Sequence, residues 1–143
     1  MALDPCITQA VAQALLDAFE TAANAGTAAV IRGLDGAVPA DADAAETGTL
    51  GFTLTCSAAI FTTKTDGAPD AVGTLDTITQ DSSADATITL SYFRILTQTA
   101  GTIIMQGTAG TATTDMVINT VSVTAGSVVA ATGTSTITVP EQT

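Results

Sequence analysis

Two periods divide the chain. From Ile7 to Ala22, apolar residues recur at intervals of three and four (Ile7, Val11, Leu15, Ala18, Phe19, Ala22), with Gln9, Gln13, Asp17, Glu20 and Asn24 largely on the other side. That spacing predicts an amphipathic helix of about five turns. Asp4 stands where an N-cap would accept from the free N–H groups of the first turn, and Pro5 suits the first helical position. Gly26 supplies a C-cap. An Ala-rich helix of this length is marginal by itself, so its stripe is expected to pack on something.

After Gly26 the period falls to two. AAVIRGL (28–34) reads as a short strand and AVPADADAAETG (37–48) as an acidic, Ala-rich loop. In LGFTLTC (50–56), Leu50, Phe52, Leu54 and Cys56 point one way and Thr53 and Thr55 the other. KTDGAPDAVG (64–73) holds Gly, Pro and Asp and reads as turn or loop, and the other glycines also look like turn residues. TLDTIT (74–79) predicts a strand, and QDSSAD (80–85) a turn whose side chains bond their own backbone. TITLSYFRILT and TIIMQGTA predict a hairpin about Thr99–Gly101. DMVINTVSVTAGSVV adds one or two strands, and STITVP closes the sheet at Pro140. The expected fold is mainly β: a β-sandwich or jelly roll of about eight strands, preceded by one N-terminal amphipathic helix. No second helical pattern separates the strands, which argues against a parallel α/β fold.

Length places all of this in one domain, 1–143, with the helix in 1–26 and the β-sandwich in 27–143. Hydrophobic residues at 46 %, charged residues at 12 % and a mean hydropathy of +0.44 do not describe a disordered chain. No apolar run approaches the ~18 residues that a membrane span needs. Abundant Thr accounts for the low charge, because a β-branched hydroxyl residue suits the solvated face of a sheet.

The net charge of −11 sets 14 acids against Lys64, Arg32 and Arg94. Polyanion binding works by neutralising phosphates with Lys and Arg, so neither nucleic acid nor an anionic membrane is an expected partner. There is no histidine, which removes His-activated serine and cysteine nucleophiles. Cys6 and Cys56 lack the company that a zinc site requires, and are either a disulfide or two separately buried thiols. MALDPCITQA has no positively charged lead-in, so a secretory signal is not expected and synthesis in the cytoplasm is.

Lys64, beside Thr65, Asp66 and Gly67, reads as a solvated turn residue. Asp41, Asp43 and Glu46, and Asp81 with Asp85, present oxygens, but Ca²⁺ wants about six to eight and the spacing is not that of an EF-hand. Solvated loops explain both clusters. No catalytic, cofactor-binding or metal-binding residue is expected, and the chain does not read as an enzyme.

The informative charge is Arg94. In Ser91-Tyr92-Phe93-Arg94-Ile95-Leu96, alternation sends Phe93 and Ile95 to one face and Tyr92, Arg94 and Leu96 to the other, so both faces are partly apolar. Arg94 either forms an intramolecular ion pair or belongs to a face that meets another subunit, where aromatics and Arg concentrate. On the second reading Tyr92, Arg94 and Leu96, with Ile7, Val11 and Leu15 of the helix, are the interface candidates. Replacing Tyr92 and Arg94 by alanine should then leave the fold intact and weaken association.

DAFETAANAGTAAVIR (17–32), ADADAAETGTLGFTLTCSAAIF (40–61), SADATITLSYFRIL (83–96), GTIIMQGTAG (101–110) and STITVP (135–140) resemble a group of small virion structural proteins of tailed bacteriophages. The resemblance implies a virion component, foremost a head decoration (cement) protein that binds the outer capsid shell and stabilises it. The implied partners are the major capsid protein and further copies of the chain, as a dimer or trimer, and the implied location is the capsid exterior. A head-fibre base, neck or tail component, or a non-viral β-sandwich interaction module, stays open beside it. The resemblance fixes no functional residue.

Overall fold

Thr-rich alternation becomes strand almost wherever it occurs in the computed structural model, which describes residues 6–67, 70–99 and 101–140. One helix, α1 (Gln9–Ala23), leads eleven described strands. They are β1 (Ala29–Leu34), β2 (Leu50–Cys56), β3 (Phe61–Gly67), β4 (Asp70–Leu75), β5 (Ile78–Thr79) and β6 (Ile88–Thr89), then β7 (Tyr92–Thr97), β8 (Ile103–Gly110), β9 (Met116–Val117), β10 (Ser122–Val123) and β11 (Thr136–Pro140). The fold is mainly β, with a curled six-stranded sheet ordered β5-β2-β1-β7-β8-β9. A three-stranded sheet runs β11-β4-β3, and β10 pairs with β6. Neighbours are antiparallel except β8 and β9.

Ile31, Phe52, Leu54, Phe93 and Ile95 of the larger sheet share one apolar interior with Phe61 and Ala71 of the smaller one. Helix α1 packs on β3, β4 and β11 and also reaches β7 and β8, so it joins the two sheets.

The expected β7–β8 hairpin is present, with Gly101 at φ +65° in its turn. The 64–73 segment differs from its reading as a loop: its described residues fall in β3 and β4, an antiparallel pair, and residues 68–69 lie outside the described residues. Charged side chains on a sheet's edge strand guard it against pairing with other chains, and that same charge disguises the strand in the sequence. The single strand expected over 87–97 divides. Leu90 N donates to Val121 O and Ser91 N to Leu34 O, handing β6 to β10 and β7 to β1. A similar break separates β4 from β5, where Asp76 Oδ1 accepts from Thr77 N at 2.7 Å.

Helix α1 begins later than expected, with Thr8 at the N-cap position, and Asn24 rather than Gly26 caps its C-terminus. Asp4 and Pro5 lie outside the described residues. The packed face is also rotated: Ala12, Leu16 and Ala23 are buried and Phe19 is partly so, whereas Val11 and Leu15 stand 46 % and 51 % exposed. Lys64 helps to select this face. Far from a solvated turn, it extends from β3 to the carboxylates of both Asp17 and Glu20. Phe19 meets Phe61 of the same strand with ring centroids 5.8 Å apart.

The hydrogen bonds that Lys64 Nζ donates, first to Asp17 and then to Glu20, hold its ammonium above its ordinary pKa. A raised base stabilises fully below its unfolded value of about 10.4, and that contribution fades as pH rises through the folded value. Thermal melts above pH ~10 should therefore fall more steeply for the native chain than for Lys64→Met. Burial also pushes the Cys56 thiol up to about 11, so it titrates in the same window in both chains and the difference between them isolates Lys64.

Candidate functional site

Registers across β2, β1, β7 and β8 define the second face of the large sheet. Arg32 lies directly opposite both Thr53 and Arg94, Leu34 opposite Tyr92, Val30 opposite Leu96, and Arg94 opposite Gln106. Both arginines of the chain therefore sit side by side, an arrangement that is unfavourable between like charges unless something screens them.

The screen is the chain's own segment 37–48. Tyr92 is fully buried, and its hydroxyl donates to Thr47 O at 2.7 Å while accepting from Thr47 N at 3.0 Å. Thr47 Oγ1 in turn donates to Ala37 O, closing the segment on itself. Gln106 Nε2 donates to Pro39 O at 3.0 Å, and Pro39 is buried. Arg32 pairs with Glu46 at 3.3 Å, and Asp35 Oδ1 receives Thr49 N where the segment rejoins β2. A loop that its Ala and Asp content marks as solvated is thus tied at both ends and in its middle.

Arg94 is also fully buried, but not in an ion pair. Its Nη2 donates to Gln106 Oε1 at 3.0 Å and makes a long 3.5 Å contact to Asp41 O. Its guanidinium carbon lies 5.9 Å from the centroid of the Tyr92 ring. Nε and Nη1 meet no acceptor. The positive charge is balanced by carbonyl dipoles and a ring face in place of a carboxylate.

This corrects the expectation for Tyr92, Arg94 and Leu96. Their face is not an open subunit surface, because segment 37–48 already ties down over Tyr92 and Arg94, and Leu96 is only 2 % exposed. The intramolecular alternative was right about the burial of Arg94 and wrong about a carboxylate partner. Sequence reasoning missed Thr47 and Gln106, the two residues that tie the cover down. Gln106 was detectable in principle as the one amide in IIMQGTAG.

Three of the five clustered acids are engaged within the chain. Asp41 Oδ1 accepts from Ala44 N, Glu46 holds Arg32, and Asp81 accepts from Thr53 N and Ser83 N. Among the described residues, no group of three or more His, Cys, Asp or Glu side chains converges as a metal site. Cys56 is buried in the core whereas Cys6 is exposed, so the expectation of two buried thiols fails for Cys6.

The helix candidates fare differently. Ile7 is half-buried against the core, but Val11 and Leu15 project outward on a face continued by Ala18 and Ala22, all exposed, and Ala25 beyond the helix end is exposed too. Beyond Ala22 and Ala25 lies a hollow of about 470 Å³ whose other walls are Thr97, Thr102, Ile103 and Ile104. Asp17 and Glu20, turned toward Lys64, lie on the far side of the helix from this face. No family model, curated protein or solved structure matches the chain.

Proposed function

We propose that the chain is a structural component of a tailed-phage virion, a decoration protein that sits on the outer capsid shell and reinforces it as a homo-oligomer. On this reading the two larger sheets are the layers of a β-sandwich, with α1 closing one side. The supporting observation is the outer face of α1: on a chain of net charge −11, Val11 and Leu15 present uncharged apolar surface. An exposed apolar surface set in a polar body is the signature of association with protein. The sequence resemblance names the setting, and an acidic exterior suits a position away from packaged DNA.

Quantitative mass spectrometry of purified particles from a phage encoding the chain tests this. Hundreds of copies per particle are expected. A handful of copies would move the protein to the neck or tail, and its absence from the particle would sink the virion reading.

A further inference from the structure

Two strand edges line one hollow. β8 has β7 on one side from Ile103 to Thr108, and β9 on the other only at Ala109 and Gly110. β11 has β4 on one side and no described strand on the other. Met105 and Gln106 of β8 share a hollow of about 430 Å³ with Thr136, Ile137 and Thr138 of β11. Outside the ladders with β7 and β4, the backbones of 103–107 and 136–140 make no hydrogen bond among the described residues.

Thr108 shows which way the β8 edge points. Its N–H turns away from β7 and donates to Asp115 Oδ2 at 2.7 Å. Alternation along an antiparallel strand turns the N–H and C=O of Gln106 to the same side. Ile104 is the extra residue of a bulge and has no partner in β7. Neither 103–107 nor 136–140 carries a charge, unlike the edge strand β3 with its Lys64 and Asp66.

We propose that an extended, basic segment of another protein enters this hollow as an added strand, hydrogen-bonded to β8 at Gln106. Its other edge then lies toward β11. The walls choose the occupant: unpaired amides and carbonyls on both sides need backbone groups in return, and a strand offers them along both edges. A helix has already used its own internally. A second copy does not fit, because its β8 has one edge held by β7 and it brings a further net charge of −11.

Charge sets the rest of the partner's chemistry. Asp115 is the one charged residue lining the hollow, and Thr108 N and Oγ1 both hold its carboxylate where the free edge ends. A lysine or arginine at the end of the added strand meets it there. Attraction to the acidic body also speeds the encounter.

Main-chain pairing supplies affinity with little demand on sequence, so a synthetic peptide serves as the probe. A dye-labelled, amidated Lys-Thr-Val-Thr-Val-Thr-Val peptide, followed by fluorescence anisotropy, should bind with a Kd of about 100 µM. Glutamate in place of its lysine should weaken binding about tenfold at low salt. Prolines at its third and fourth positions, which remove a donor from each edge, should abolish binding. Hydrogen exchange followed by NMR locates the contact, with the Gln106 amide slowed when the peptide is bound.

No binding at ~1 mM, equal binding of the proline peptide, or binding that leaves the Gln106 amide unprotected overturns the proposal. Equal binding of the lysine and glutamate peptides overturns the basic character of the partner. Peptide binding reads this contact wherever the chain works and particle mass spectrometry reads location alone, so the two proposals fail separately.

Discussion

A chain carrying Tyr92→Ala and Arg94→Ala is expected to lose cooperative folding, or to unfold at a small fraction of the native urea midpoint. Both side chains are fully buried, under a segment that they help to hold. Truncating a buried aromatic to alanine costs about 3–5 kcal/mol through lost burial and the cavity left behind. Losing the Tyr92 hydroxyl also removes both hydrogen bonds that hold Thr47 to the sheet. Domain stability of about 5–15 kcal/mol leaves little margin after that.

Arg94 contributes differently, and a second variant separates the two effects. Its charge is buried without a carboxylate, and replacing such a group by an apolar one of similar volume is often neutral or stabilising. Arg94→Met in the native background should therefore hold or raise the urea midpoint, whereas Tyr92→Ala alone should collapse it. An unchanged midpoint in the double alanine chain would mean that segment 37–48 does not cover this face.

Gly33→Val should be comparably severe. Gly33 is buried in β1, and its register places it beside Phe52 on one side and Phe93 on the other. A Cβ there would lie 2.2 Å from the Phe52 ring, which is itself fully buried and has nowhere to go. Overpacking at such a site costs about 3 kcal/mol or more. The pattern recurs: a Cβ at Gly107 would come within 2.7 Å of the Phe93 ring, and one at Gly73 within 2.6 Å of the Phe61 ring. Three of the four phenylalanines thus lie across glycines of adjacent strands. Adding Phe52→Ala to Gly33→Val should recover part of the loss, because the new side chain refills the vacated space and the effects are then non-additive. A double variant less stable than the sum of the singles would contradict the ring-over-glycine geometry.

The glycines show where sequence reasoning stops. Turn chemistry is local, and Gly36, Gly48, Gly126 and Gly133, with positive φ, behave as expected of turn residues. Gly33, Gly73 and Gly107 are small because a ring from another strand needs the space, and no local pattern carries that information. The helix was legible in its period but not in its orientation. Ala12-Leu16-Phe19-Ala23 and Val11-Leu15-Ala18-Ala22 are equally good stripes on an alanine-rich helix, and only contact with the strands beneath chooses between them. Alternation likewise marked both faces of β7 as partly apolar. What covers the second face comes from a segment about 50 residues away, held through backbone carbonyls that any residue would supply.

All three basic side chains of this protein lie inside strands: Arg32 in β1, Lys64 in β3 and Arg94 in β7. An enzyme that cuts after lysine or arginine must draw several flanking residues, extended, into its cleft. Here that means stripping an interior strand from both neighbours, or lifting β3 away from β4 and from the carboxylates of α1. Digestion of this kind waits on unfolding, so a scarcity of cations that first looks like a matter of charge also protects the folded chain from proteases that cut at lysine or arginine.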